Sequence, residues 1–138
     1  MKVKGIIFFS IILIAALVTS CEDPQQTGDP RDKLEGSWKG NDTHLKSTME
    51  YYDVYITPDP DDSTMIFIDG FNGLGLDITA HAKLSNMTIT LDGKKNADGY
   101  TFSGSGTISS NYKEIDWNYS TDIGDGILDR YTAVFTRN

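Results

Sequence analysis

Cysteine is nearly absent from this 138-residue chain, with Cys21 its only example. One thiol cannot close an intramolecular disulfide or build a cysteine metal site, so the fold is not stapled in either way. Histidine is almost as scarce. His44 and His81 have no second histidine or cysteine at ligand spacing, and each reads as a solvated side chain. Basic residues are outnumbered, 12 against 20 acids, for a formal net charge of −8. Such a surface lacks the cationic footprint that phosphate recognition needs, which excludes nucleic acid as a partner. Also missing is a nucleophile elbow or phosphate loop: Ser103-Gly104-Ser105-Gly106 lies in an alternating run, not at a strand-to-helix turn. Beyond residue 20 no segment repeats apolar residues at helical spacing. The expectation is a protein without catalytic residues, metal or cofactor.

What is present begins with a leader. Residues 1–4 carry two lysines, residues 5–18 are almost wholly apolar, and Val18-Thr19-Ser20-Cys21 closes the run. An apolar stretch of about 14 residues is short of the roughly 20 that span a bilayer. It reads as an export signal, residues 1–20. Leu17-Val18-Thr19-Ser20-Cys21 resembles the lipobox of bacterial lipoproteins. That resemblance implies cleavage before Cys21, a diacylglyceryl group on its sulfur and acyl chains such as palmitate. The implied partner is a membrane, the outer membrane, with the domain facing the periplasm or the cell surface. The leader holds lysines and no acid, so the mature chain is more acidic still. Residues 21–33 contain two prolines, a glycine and many polar residues, the composition of a flexible tether. Glu22 and Asp23 resemble surface-export signals of some Gram-negative bacteria; a solvated linker is the other reading.

From residue 34 to 138 the pattern has period two. Leu74, Leu76, Ile78, Ala80, Ala82 and Leu84 share one face, opposite Asp77, Thr79, His81 and Lys83. Tyr52, Val54 and Ile56 alternate in the same way, as do Phe102 with Ile108, Ile115 with Trp117 and Tyr119, and Tyr131 with Ala133 and Phe135. Successive side chains of a strand point to opposite faces, so these runs read as strands buried on one side. Turn residues fall between them, among them Asn72-Gly73, Ser85-Asn86 and Asp92-Gly93. Eight strands are expected, near 35–43, 47–57, 64–70, 74–84, 87–92, 99–108, 112–121 and 128–137. A meander with one buried face has exposed edges unless it closes. The expected fold is all-β, an eight-stranded antiparallel up-and-down barrel, with an open two-sheet sandwich as the alternative. Gly36, Gly40, Gly75, Gly104 and Gly106 fall inside these strands, where a barrel needs bends and close approaches.

Gly36-Ser37-Trp38 opens the first strand and Thr136-Arg137 ends the last. The pairing resembles the calycin superfamily, the lipocalins and fatty-acid-binding proteins. The resemblance implies that Trp38 plugs the base of the barrel and Arg137 lies across it, a contact of about 0.5–2 kcal/mol. The whole domain, with its Gly104-Ser105-Gly106-Thr107-Ile108 run, is similar to small lipocalin-like outer-membrane lipoproteins of Gram-negative bacteria.

In such a barrel Tyr52, Val54, Leu76, Ile78, Phe102, Trp117, Tyr119 and Tyr131 would face the interior. Tyrosine hydroxyls beside an apolar wall suit a small hydrophobic or amphipathic ligand; the alternative is that these rings simply fill a narrow core. Tyr51 and Tyr55, with Phe67 nearby, fall on the outer face as a candidate aromatic strip. Asp59, Asp61 and Asp62, and Asp122, Asp125 and Asp129, form acidic turns without the spacing of a calcium loop. Asp62-Ser63-Thr64 resembles a short O-glycosylation motif. The function expected is a non-enzymatic, membrane-anchored binding lipoprotein. The alternative is a protein-binding module, a protease inhibitor or an accessory subunit of a surface complex, acting through its loops.

Overall fold

The computed structural model describes residues 28–43 and 51–137; the leader, Cys21, most of the linker and residues 44–50, including His44, lie outside that range. Eight strands occur among the described residues: β1 Gly36–Thr43, β2 Tyr51–Pro58, β3 Met65–Asp69, β4 Thr79–Ser85, β5 Thr88–Leu91, β6 Thr101–Ile108, β7 Glu114–Asp122 and β8 Asp129–Arg137. Each pairs antiparallel with the next, and β1 also pairs with β8 from Trp38↔Arg137 to Thr43↔Thr132. The sheet is therefore a closed up-and-down barrel of the lipocalin-like kind, not an open sandwich. Closure gives every strand two neighbours and removes the bare edges.

Alternation places the core. On β7, Ile115, Trp117, Tyr119 and Thr121 are buried while Glu114, Asp116 and Asn118 are exposed. On β4, Ala80 and Ala82 point inward, and His81 and Lys83 point out. Val54, Ile56, Ile66, Ile68, Ile89 and Phe135 complete one continuous apolar interior, and burying each such side chain stabilises by about 1.5–3 kcal/mol. Gly106 makes room for the largest of them. A Cβ there would sit 2.8 Å from Cδ2 of Trp117, so the indole can lie against β6 only where the side chain is missing.

The base of the barrel, where β1 begins and β8 ends, is sealed. Trp38 is fully buried, and its Nε1 donates to the Leu34 carbonyl at 2.8 Å. The Arg137 guanidinium lies 5.3 Å from the centre of the Trp38 ring and donates to the Lys33 and Glu35 carbonyls. The last part of the expected tether packs against this end. Pro30–Lys33 form a 3-10 turn capped by Asp29. There the buried Arg31 donates from Nη1 to the carbonyls of Asp59, Asp62 and Met65 at 2.8–2.9 Å. Its other edge pairs with Asp29 at 2.6 Å. One guanidinium thus clamps the N-terminal turn to the loop between β2 and β3.

The expected strand over 74–84 is shorter than its alternation suggests. β4 starts at Thr79, and Phe71–Gly73 form a second 3-10 turn instead. Gly73 and Gly75 adopt φ of +67° and +103°, conformations that break an extended backbone and that glycine takes without penalty. Gly75 is therefore a turn residue, and Leu76, expected inside the barrel, is 55% exposed.

Replacing Trp38 with alanine should remove the seal, its hydrogen bond and its cation–π contact. Urea unfolding is expected to show a loss of about 3–5 kcal/mol. The exposed Lys39–Asp53 pair, 2.5 Å apart on the outer wall, provides the contrast: Lys39→Ala should change stability by less than about 0.5 kcal/mol.

Candidate functional site

The upper end of the barrel interior has a different chemistry from the base. Inward positions along β1 run Trp38, Gly40, Asp42, so the alternation that buries an indole at one end delivers a carboxylate at the other. Around Asp42 stand Tyr52 of β2, Tyr119 of β7, Tyr131 of β8 and Asn72 of the 71–73 turn. The Tyr52 hydroxyl donates to Asp42 Oδ1 at 2.6 Å. The Tyr119 hydroxyl lies 3.0 Å from Asp42 Oδ2 and 2.6 Å from Asn72 Oδ1, and its single proton serves one acceptor at a time. Tyr131 stacks on Tyr119, with ring centres 5.3 Å apart and planes 15° from parallel. Gly40 is what lets Tyr52 reach across: a Cβ there would lie 2.4 Å from the tyrosine ring. Asn72 takes the left-handed conformation, φ 59° and ψ 22°, which asparagine tolerates better than most residues.

Among the described residues, the ion pairs are Arg31–Asp29 and Lys39–Asp53, and neither involves Asp42. Burial raises the Asp42 carboxyl above its ordinary range, against the opposing hydrogen bonds from Tyr52 and Tyr119. Burial, reinforced by the neighbouring Asp42 charge, also raises both phenols, so they remain protonated donors. Tyr131 is raised as well, by burial and then by Asp129. Phenols held this firmly neutral can grip and orient a ligand but supply no base near neutral pH.

Below this cluster the Phe71 ring enters the interior edge-on against Phe102, Trp117, Tyr119 and Phe135, with centres 4.7–5.7 Å away. Two polar atoms in this layer, Trp117 Nε1 and Thr121 Oγ1, are buried without a hydrogen-bond partner among the described residues. Of the residues expected to line the interior, Val54, Ile78, Phe102, Trp117 and Tyr119 are buried there, and Tyr52 and Tyr131 are half-buried at its top. Leu76 is not among them, for the reason given above. Gly36, Trp38 and Arg137 lie together at the base, far from this cluster in the strand register. Cys21 falls outside the described residues.

Sequence reasoning missed Asp42, Phe71, Asn72 and Thr121. For Asp42 and Thr121 the signal was present, since each continues an inward alternation by one more step. Phe71 and Asn72 gave none, because a turn that folds back into a barrel has no periodicity.

Among the described residues, grooves of about 280 and 320 Å³ lie on the outer wall, and one of about 260 Å³ reaches in to Ala80 and Phe102 beneath the β5–β6 loop. The largest is bordered by Phe67, Asp69, Thr79, His81 and Asn96, with the His81 and Phe67 rings 4.8 Å apart. Tyr51 and Tyr55 are exposed on the outer wall. The acidic turns cap their own backbones: Asp122 Oδ1 accepts from Gly124 and Gly126, and Asp59 Oδ1 from Asp61 and Asp62. No group of three potential metal ligands occurs among the described residues.

No protein-family model matches the chain, and no curated protein does. Solved structures do. A redesigned β-barrel, b11L5F_LGL, superposes with a TM-score of 0.51 at 13% identity, over 81% of this chain and 97% of the other. The structure of EF1p2_mFAP2b bound to DFHBI superposes with a TM-score of 0.50 at 14% identity, over 78% and 95%. At these identities the likeness is one of fold.

The raised Asp42 carboxyl has a measurable consequence. In the window between its unfolded value near 3.8 and its higher folded value, the native state holds more protons than the unfolded chain. Its contribution to stability therefore falls as pH rises through that window. The carboxyls of Asp29, Asp62 and Asp122 are shifted down by hydrogen bonds and act in the opposite sense, so a difference measurement is needed. The urea midpoint of Asp42→Asn relative to the native chain should climb as pH is raised from about 3 and then level off. A flat difference would show that Asp42 titrates as a solvated side chain.

Proposed function

We propose that this protein is a lipid-anchored, non-enzymatic binding protein of the bacterial outer membrane that receives a small amphipathic molecule in the upper part of its barrel. The observation that carries this reading is the polar character of that region. A barrel interior that served packing alone would be apolar to both ends, as the base is. Here a carboxylate, an amide and three phenols crown an apolar shaft that holds two buried, unpartnered polar atoms. Buried polar groups without partners are costly, and a ligand that supplies the missing bonds recovers that cost. The structural likeness to a barrel bound to DFHBI is in keeping with a ligand inside this fold, though it supports the fold rather than the ligand. The polar head of the guest would meet the Asp42 cluster, and its tail would lie toward Phe102, Trp117 and Phe71.

The anchor belongs to the same reading. The described chain enters at the sealed base, where Arg31 fixes the N-terminal turn. A lipid on Cys21 would therefore hold the barrel by its closed end, with the upper end turned from the membrane. A second reading, binding of a protein through the upper loops, is favoured by the exposed Leu76, Ile123, Ile127 and Leu128, each 52–63% accessible.

Native mass spectrometry of the full chain extracted from its own envelope should show a bound small molecule in substoichiometric or full occupancy. Recovery of a stoichiometric protein partner with no small molecule would favour the second reading. Cys21→Ala should abolish palmitate labelling and move the protein out of the membrane fraction; unchanged membrane partition would refute the anchor.

A further inference from the structure

The chemistry of the upper cluster restricts the class of guest. Its acceptors are both Asp42 oxygens, the Asn72 carbonyl oxygen and the phenol oxygens; its donors are the Asn72 amide and the phenol hydroxyls. The Tyr52 and Tyr119 protons are already committed to Asp42 and Asn72. Asp42 has no lysine or arginine in ion-pair contact among the described residues. The rings of Tyr52, Tyr119 and the stacked Tyr131 surround it, and the loops and strand ends on that side carry more acids than bases. A carboxylate with no cation in contact, met by phenol hydroxyls and set in a negative field, is complementary to a positive charge.

We infer that the guest is an organic cation, an amine or quaternary ammonium on a short apolar tail, whose charge pairs with Asp42 beside the hydroxyls of Tyr52 and Tyr119. The inference rests on the interior-binding reading above and narrows it. An anionic amphiphile such as a fatty acid is disfavoured at this site, because its carboxylate would meet the like charge of Asp42. A neutral alcohol would gain the apolar contacts and lose the charge pairing. The burial that raises the Asp42 carboxyl is also relieved by a cation, which gives the charge a partner in place of the water it has lost.

The test uses the full chain in lipid nanodiscs, titrated calorimetrically against empty nanodiscs with four probes sharing one tail: hexylamine, hexyltrimethylammonium, hexanol and hexanoate. The two cations should bind at least about tenfold more tightly than hexanol, and hexanoate should bind least. Asp42→Asn should erase the preference for cations, and an unchanged far-UV circular dichroism spectrum with a cooperative urea transition shows that the variant is folded. The comparison among probes on the unaltered chain stands even if that variant is unstable. Hexanol or hexanoate binding as tightly as the cations would overturn the inference and leave the interior-binding reading intact. If no probe binds while native mass spectrometry still finds a small molecule, the inference alone fails. If neither experiment finds a ligand, both readings fail together.

Discussion

Pairing of the first strand with the last, with Trp38 buried beneath Arg137 where they meet, is the constraint on which the rest of this structure depends. An alternating sequence specifies which side chains share a face, but that face becomes an interior only when the sheet closes on itself. Once β1 meets β8, Val54, Ile68, Ile89, Ile115 and Phe135 converge from every side of the cylinder. The indole and the guanidinium then finish the base. Arg137 completes the contact by donating to the carbonyls of Lys33 and Glu35, and Arg31 locks the preceding turn to the β2–β3 loop. With water excluded from one end, the other end can afford polar groups without losing the core.

Much of the architecture was legible in the sequence because it rests on a local, repeated signal. Ile115, Trp117 and Tyr119, or Tyr52, Val54 and Ile56, need only alternate to declare a half-buried strand, and turn residues mark where each stops. The segment from 71 to 78 shows where that signal misleads. Leu74, Leu76 and Ile78 alternate as a strand would, yet Gly73 and Gly75 take positive φ and turn the chain aside, leaving Leu76 in solvent. The pattern records polarity and not backbone conformation, and glycine is the residue for which the two part company.

Arg31 was hidden for a different reason. Charged residues among prolines and a glycine have the composition of a linker, and composition is silent about which carbonyls a guanidinium will find. Its partners, Asp59, Asp62 and Met65, are brought there by the closure of β2 onto β3. The candidate site was half legible. The tyrosines and Trp117 could be placed inside by alternation, but Asp42 breaks the apolar rule at an inward position, so an apolar pattern does not mark it. Phe71 and Asn72 enter from a turn, which carries no period at all.

That break in the pattern is the informative part of the molecule. A half-buried carboxylate opposes folding near neutral pH, since its charge has lost part of its water and, among the described residues, has gained phenol hydrogen bonds in return. An asparagine or a leucine at the same position would satisfy the barrel at lower cost. The surroundings nevertheless accommodate the acid: Gly40 gives up its side chain so that Tyr52 can reach it, and Asn72, in a left-handed backbone conformation, offers the Tyr119 hydroxyl an alternative acceptor. Four elements remote in sequence thus converge on one charge that contributes nothing to packing. Local rules violated in concert, at one end of an otherwise consistent fold, are what the proposed binding role accounts for and packing alone does not.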